Sequence, residues 1–177
     1  ASVLSLESPE VIETLDTVCQ TTALVCFEGE MYQFDNTRSR DAVYSEISPA
    51  QRRVYHAKVA EKLEGKGKGG KLSFSDLAYH YAQAGNKEKA VEYALAAAKD
   101  ELARWSNSQA IKHFAYVLQY LPEGHAEEKR TALEGLGDAY AANYMYGDAI
   151  KTFDALAASE TGVVRLRALR KAMDAAF

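Results

Sequence analysis

The densest run of residues able to hold an anion is Gly65-Lys66-Gly67-Lys68-Gly69-Gly70-Lys71. Glycines let backbone N–H groups close around a phosphate, and a lysine just past the last glycine can reach its outer oxygens. Gly65, Gly70 and Lys71 have the spacing of such a loop. Leu72 follows, where a hydroxyl should meet Mg²⁺. The run also comes after a charged helical stretch, HAKVAEKLE, instead of a buried strand. It therefore reads as a flexible, solvated linker over residues 66–72. Cys19 and Cys26 lack the paired spacing and nearby histidines of a zinc site, and they read as reduced, buried small apolar residues. The four histidines (His56, His80, His113 and His125) are scattered along the chain. His80, between Tyr79 and Tyr81, reads as an interior or groove residue rather than a base. No HExxH, GxSxG or Cys/His pair appears, and the carboxylates follow helix faces. The expectation is a non-enzymatic chain with no catalytic residue, no metal ligand and no cofactor of its own.

Two groups of cations remain. Arg38, Arg40, Arg52, Arg53 and Lys58 lie beside a stretch that reads as a β-hairpin. A helix–hairpin–helix arrangement of this kind can be part of a winged helix, which in other proteins reads DNA. No aromatic or polar recognition set accompanies these arginines, so the preferred reading is structural, with carboxylates of a neighbouring domain as their partners. A DNA-binding transcription regulator is the alternative. Further on, Arg167, Arg170 and Lys171 share a helix face by their spacing, with Arg165 nearby. Such a face is either solvated or meets an acidic partner segment.

Composition narrows the field. Of 177 residues, 47% are hydrophobic and 26% charged, which excludes wholesale disorder. A net charge of -4 makes the chain a poor default ligand for nucleic acid. No apolar run approaches the ~20 residues that span a bilayer, and no signal peptide is visible, so a cytoplasmic protein without membrane contact is expected. The chain lacks a starting methionine and stops at DAAF, inside a helical pattern, as a piece of a longer protein would.

Three prolines and the alanine-rich AVEYALAAAKDELAR favour helices. Ser8-Pro9-Glu10 opens the first, with Val11, Leu15 and Val18 on one face beside Ile12 and Cys19. Residues 23–27 and 31–34 flank Glu28-Gly29-Glu30 as a hairpin with a three-residue turn. Thr37–Ser45 is a helix with Ala42, Val43 and Tyr44 turned inward. The next, from Ser48-Pro49, has a stripe of Val54, Ala57, Ala60 and Leu63. Beyond the linker, helices are expected over 75–84, 87–105, 107–121, 128–143, 147–159 and 163–177.

An internal pattern runs through these later helices. Counted from Arg130, Leu136, Gly137, Tyr140, Ala149, Phe153 and Leu156 fall at positions 7, 8, 11, 20, 24 and 27 of a helical pair, with Leu136 first. Counted from Lys71, Leu77, Ala78, Tyr81, Ala90, Ala94 and Ala97 take the same places. Ala110, Phe114, Val117 and Pro122 match the second half of another unit. Small residues at 8 and 20 let helix axes approach, and the aromatics fill the space beside them. The pattern resembles the tetratricopeptide repeat, with the long helix at 87–105 serving two units and the last helix exposing an apolar face to a missing neighbour.

Two longer stretches add a second resemblance. MYQFDNTRSRDAVYSEISPAQRRVYHAKVAEKLE followed by LAYHYAQAGNKEKAVEYALAAAK resembles the end of the nucleotide-binding module in large AAA/STAND-type signal-transduction ATPases, where a winged-helix segment leads into a helical repeat array. The residues that carry it are Tyr32, Phe34, Arg40, Ala42, Val43, Tyr44, Arg53, His56 and Leu63-Glu64, then Leu77, Ala78, His80, Tyr81, Ala84-Gly85, Lys89-Ala90 and Tyr93. Asp35-Asn36 stands where the family usually has a histidine. The resemblance implies an ATP-binding domain upstream, absent from this chain and partnered with it in cis.

Taken together, the expected fold is mainly α: a partial winged helix with a β-hairpin at 1–65, the linker at 66–72, and a tetratricopeptide-like right-handed α–α superhelix at 73–177. The expected role is a protein–protein interaction and regulatory module of a larger signal-transduction ATPase or transcriptional activator. By repeat offset, a protein or peptide partner would meet Tyr79, Gln83, Glu134 and Asp138, with Arg167 and Arg170 beyond.

Overall fold

The computed structural model describes residues 9–29, 31–66 and 73–176. It divides into two compact units, with Ser73 beginning the second and Gln83–Gly85 grouped with the first.

The first unit runs α1 (Pro9–Thr22), β1 (Val25–Glu28), β2 (Met31–Phe34), α2 (Thr37–Glu46) and α3 (Pro49–Lys66). Val11, Leu15, Val18 and Cys19 are the half-buried residues of α1, which packs on β1, and Ile12 is exposed. The antiparallel register pairs Val25 with Phe34 and Glu28 with Met31. The turn is thus two residues long, not three, because Glu28 belongs to the strand. Gly29, at φ +68°, supplies the left-handed backbone that tight hairpins need. The Tyr32 hydroxyl donates to Asp16 at 2.6 Å and ties the hairpin to α1.

Asn36 caps α2 by accepting from the Ser39 N–H at 2.9 Å. The inward face expected for α2 is corrected: Val43 and Tyr44 are exposed, and the helix has no buried residue. The Tyr44 ring is held from outside by polar groups, with His56 Nε2 at 2.9 Å from its hydroxyl and the Arg52 guanidinium over its face. On α3, Ala60 is buried and Ala57 and Leu63 are half-buried, whereas Val54 is exposed. This helix continues through Gly65 and Lys66. The remainder of the glycine–lysine run, and with it most of the expected linker, lies outside the described residues.

The second unit comprises α4 (Phe74–Ala84), α5 (Lys87–Ala103), α6 (Asn107–Tyr120), α7 (Ala126–Ala142), α8 (Tyr146–Ser159) and α9 (Gly162–Asp174). Three of its turns repeat one geometry. Gly85, Trp105 and Tyr144 are left-handed, at φ 84°, 61° and 61°. The following N–H groups, of Asn86, Ser106 and Met145, donate to the carbonyls of Tyr81, Glu101 and Tyr140. That six-to-one bond closes a helix and aims the chain back along it. Links this short leave no length for a crossover, so successive helices are antiparallel. The α6–α7 loop is five residues long. Its six Cα steps reach about 20 Å only if fully extended, and the left-handed turn at Gly124 (φ 94°) keeps it well short of the roughly 21 Å length of α6, so it too reverses the chain.

The stack is held by small residues. Ala78 of α4, Val91, Ala94 and Ala98 of α5, Ala110, Phe114 and Val117 of α6, and Ala132, Leu136 and Ala139 of α7 form one core cluster. Its aromatic fill is matched to glycines: a Cβ on Gly135 would enter the ring of Phe114, and one on Gly137 the ring of Phe153. Leu133, Leu156, Ala157 and Ala168 form a second cluster, and Ala149, Phe153 and Ala172 a third, joining α7, α8 and α9. Ala90, at repeat position 20, is fully buried. Tyr81 and Tyr93 stack at 5.6 Å between α4 and α5, and Lys89 Nζ reaches the Tyr81 hydroxyl at 3.1 Å.

Candidate functional site

Helix α7 buries Leu133, Leu136 and Ala139, and this leaves Glu134 and Asp138 one turn apart on a half-exposed side. Across from them, α9 buries Ala168 and Ala172 and so presents Lys171 to the same side. Lys171 Nζ donates to Glu134 Oε1 at 3.0 Å and to both carboxylate oxygens of Asp138 at 2.8 Å. The ammonium also lies 5.6 Å from the centre of the Phe153 ring. Burial alone would lower the Lys171 pKa. The hydrogen bonds to Asp138 and Glu134 outweigh it, and the pKa is raised above the usual lysine value.

Two of the six expected partner-binding residues, Glu134 and Asp138, therefore already share a cation within the chain. Arg167 and Arg170 are exposed on α9 and make no ion pair among the described residues. Of the three cations read on that face, Lys171 alone meets acids, and the acids are internal. Tyr79 and Gln83 lie one turn apart on α4, both exposed, with the Tyr79 ring edge-on to His80 at 5.2 Å. The six residues thus fall into two groups, one on α4 and one shared by α7 and α9.

His80 is half-buried, and desolvation lowers its pKa against a smaller opposing effect of Asp76. His113 is lowered in the same way by burial. The expectation of two buried cysteines is corrected: Cys19 is half-buried and Cys26 exposed, because the β1 face carrying Cys26 is open to solvent. Burial, then Asp16 and Cys26, push the Cys19 thiol up, the opposite of a reactive thiolate. Among the described residues no group of histidine, cysteine and carboxylate side chains is arranged to hold a metal ion. No helix among them is long and apolar enough to cross a membrane.

In the first unit, Arg52 is committed to structure. Its Nε and Nη2 donate to the carbonyls of Ile47 and Ser45, each at 2.8 Å, where α2 ends. Arg40 pairs with the adjacent Asp41 at 2.8 Å. Arg40 thus faces a carboxylate, whereas Arg52 is held by neutral carbonyls.

The sequence pattern missed one feature. Trp105 and Tyr144, at the left-handed position of their turns, are 82% and 81% exposed, and Tyr146 beside Tyr144 is 47% exposed. Since the helices alternate in direction, the α5–α6 and α7–α8 turns lie at the same end of the stack. Left-handed backbone is rare for bulky residues and normally falls to glycine, so spacing alone could not place these aromatics at turn tips.

No family model, curated protein or solved structure matches the chain.

Proposed function

We propose that the chain is a non-enzymatic protein–protein interaction and regulatory module of a larger signal-transduction ATPase or transcriptional activator. In this reading the first unit is the rear of a winged helix. The second is a tetratricopeptide-like right-handed superhelix that binds a protein or peptide, and nucleotide chemistry belongs to an upstream domain in cis. The observation that carries the reading is the stack α4–α9, in which alanine and glycine fill the helix contacts while Tyr79, Gln83, Arg167 and Arg170 stay on the surface. Repeated helical hairpins built this way derive their stability from neighbours and expose long faces for binding. Aromatic and arginine side chains are the ones that concentrate binding energy on such faces. Regulation then requires a partner with different affinities for two arrangements of the parent protein.

The test is photocrosslinking in cells from a benzophenone amino acid placed at Tyr79 or Gln83, followed by calorimetry of the captured partner with Tyr79→Ala and Gln83→Ala chains. A tenfold or greater loss of affinity, with the helical circular dichroism unchanged, is expected. Unchanged affinity in both variants rejects this surface.

A further inference from the structure

Helix α9 is apolar on two opposite sides. Its inner side, Ala168 and Ala172 with half-buried Val164 and Ala175, packs into the clusters shared with α7 and α8. Its outer side carries Val163, Leu166, Leu169 and Met173, exposed by 72%, 68%, 38% and 63%. At about 100° per residue Leu169, Met173 and Leu166 form one contiguous strip about 60° wide, and Val163 lies a further 60° or so round, beyond Arg170. A helix with two such sides is built to lie between two others, as α7 lies between α6 and α8.

Charge says what kind of neighbour. Arg165 borders the Leu169–Met173–Leu166 strip on one side and Arg170 on the other, between Leu166 and Val163, with Arg167 beyond; all three are exposed and without an ion pair among the described residues. The sole carboxylate on α9 is Asp174. A second copy of this face would set arginines against arginines. α9 carries no aromatic residue, which interfacial membrane helices use as anchors. The inner side of the same helix shows the local solution to a cation beside an apolar contact: two carboxylates one turn apart on the facing helix, as Glu134 and Asp138 receive Lys171.

We infer that the outer face of α9 is a docking surface for an acidic amphipathic helix of a partner protein, its apolar stripe on Leu166, Leu169 and Met173 and its carboxylates on Arg165, Arg167 and Arg170. The inference rests on the reading of the array as a docking scaffold and assigns the partner class for its arginine end.

The test pans a displayed library of random 16-residue peptides on the full chain and measures selected peptides by fluorescence anisotropy. Enrichment of peptides with leucine-type residues at helical spacing flanked by Asp or Glu is expected. Their binding falls at least tenfold in Leu166→Ser and in Arg167→Glu/Arg170→Glu, and the charge-reversed chain takes up lysine-flanked versions of the same peptides. Enrichment without acidic bias overturns the proposal, as does binding indifferent to both variants. So does tighter binding to phosphatidylserine vesicles than to any peptide, or a dimer in sedimentation that Leu166→Ser disperses. Peptides sensitive to Tyr79→Ala but not to Leu166→Ser would sink this surface and leave the broader docking role standing; peptides sensitive to neither would sink both.

Discussion

The two glycines of α7 show how much a single missing methyl group decides. Glycine within a helix is usually worth replacing, with alanine gaining about 0.5–1 kcal/mol. At Gly137 the sign reverses, because the Phe153 ring is 1% exposed and has no free space to retreat into. Gly137→Ala is expected to lose about 1–3 kcal/mol in urea unfolding, and Gly135→Ala a similar amount against Phe114. Gly147→Ala, with open space around it, is expected to be neutral or slightly stabilising. Tyr32 gives a titration signature. Its hydrogen bond to Asp16, with burial secondary, pushes it up to about 12. A raised tyrosine pKa adds stability that is fully present below the unfolded value near 10 and is lost as pH rises through 12. Absorbance titration of Asp16→Asn is expected to bring this tyrosine back toward 10. For Lys171 the sign is the same, its contribution holding below the ordinary lysine value and fading on the alkaline side. The glycine at position 137 was legible from repeat spacing alone. The pairing of Lys171 with Glu134 and Asp138 was not, since 37 and 33 residues separate them and only the α7–α9 packing brings them together.

At the level of elements, sequence pattern served long helices best. Alanine content, periodicity and the Gly85-Asn86 and Pro122 stops located all six helices of the second unit to within a few residues. It served short elements worst. The hairpin turn came out a residue too long because Glu28, a poor strand former by type, is carried into the ladder by pairing with Met31. The inward face assigned to α2 failed because three adjacent apolar residues do not define a helical face. The turn aromatics make a prediction of their own. Holding a bulky residue left-handed costs about 1 kcal/mol, so Trp105→Gly and Tyr144→Gly are each expected to raise the unfolding midpoint. Gly85→Ala, at the equivalent turn, is expected to lower it. A destabilised midpoint in Trp105→Gly would show that the ring makes contacts its 82% exposure denies.

Across the second unit, each helix from α5 onward packs chiefly on the next, with an additional contact from α5 to α7. Damage should therefore spread by proximity. Phe153→Ala is expected to destabilise by about 3–5 kcal/mol. In hydrogen exchange its effect should be greatest in α8 and α9 while α5 and α6 keep more of their protection; uniform loss would mean the stack unfolds as one block. The sequence pattern had the long helix at 87–105 serving two helical pairs, and in the packing Val91, Ala94 and Ala98 of α5 join Ala78 on one side to Ala110 on the other. That double duty fixes where foreign sequence can be spliced in. A graft at Gly85 or Trp105 would pry α5 from one of its two flanks. The stretch Pro122–Gly124, solvent-facing and between helices that each have another neighbour, is where a fluorescent tag or a passenger domain should be accepted.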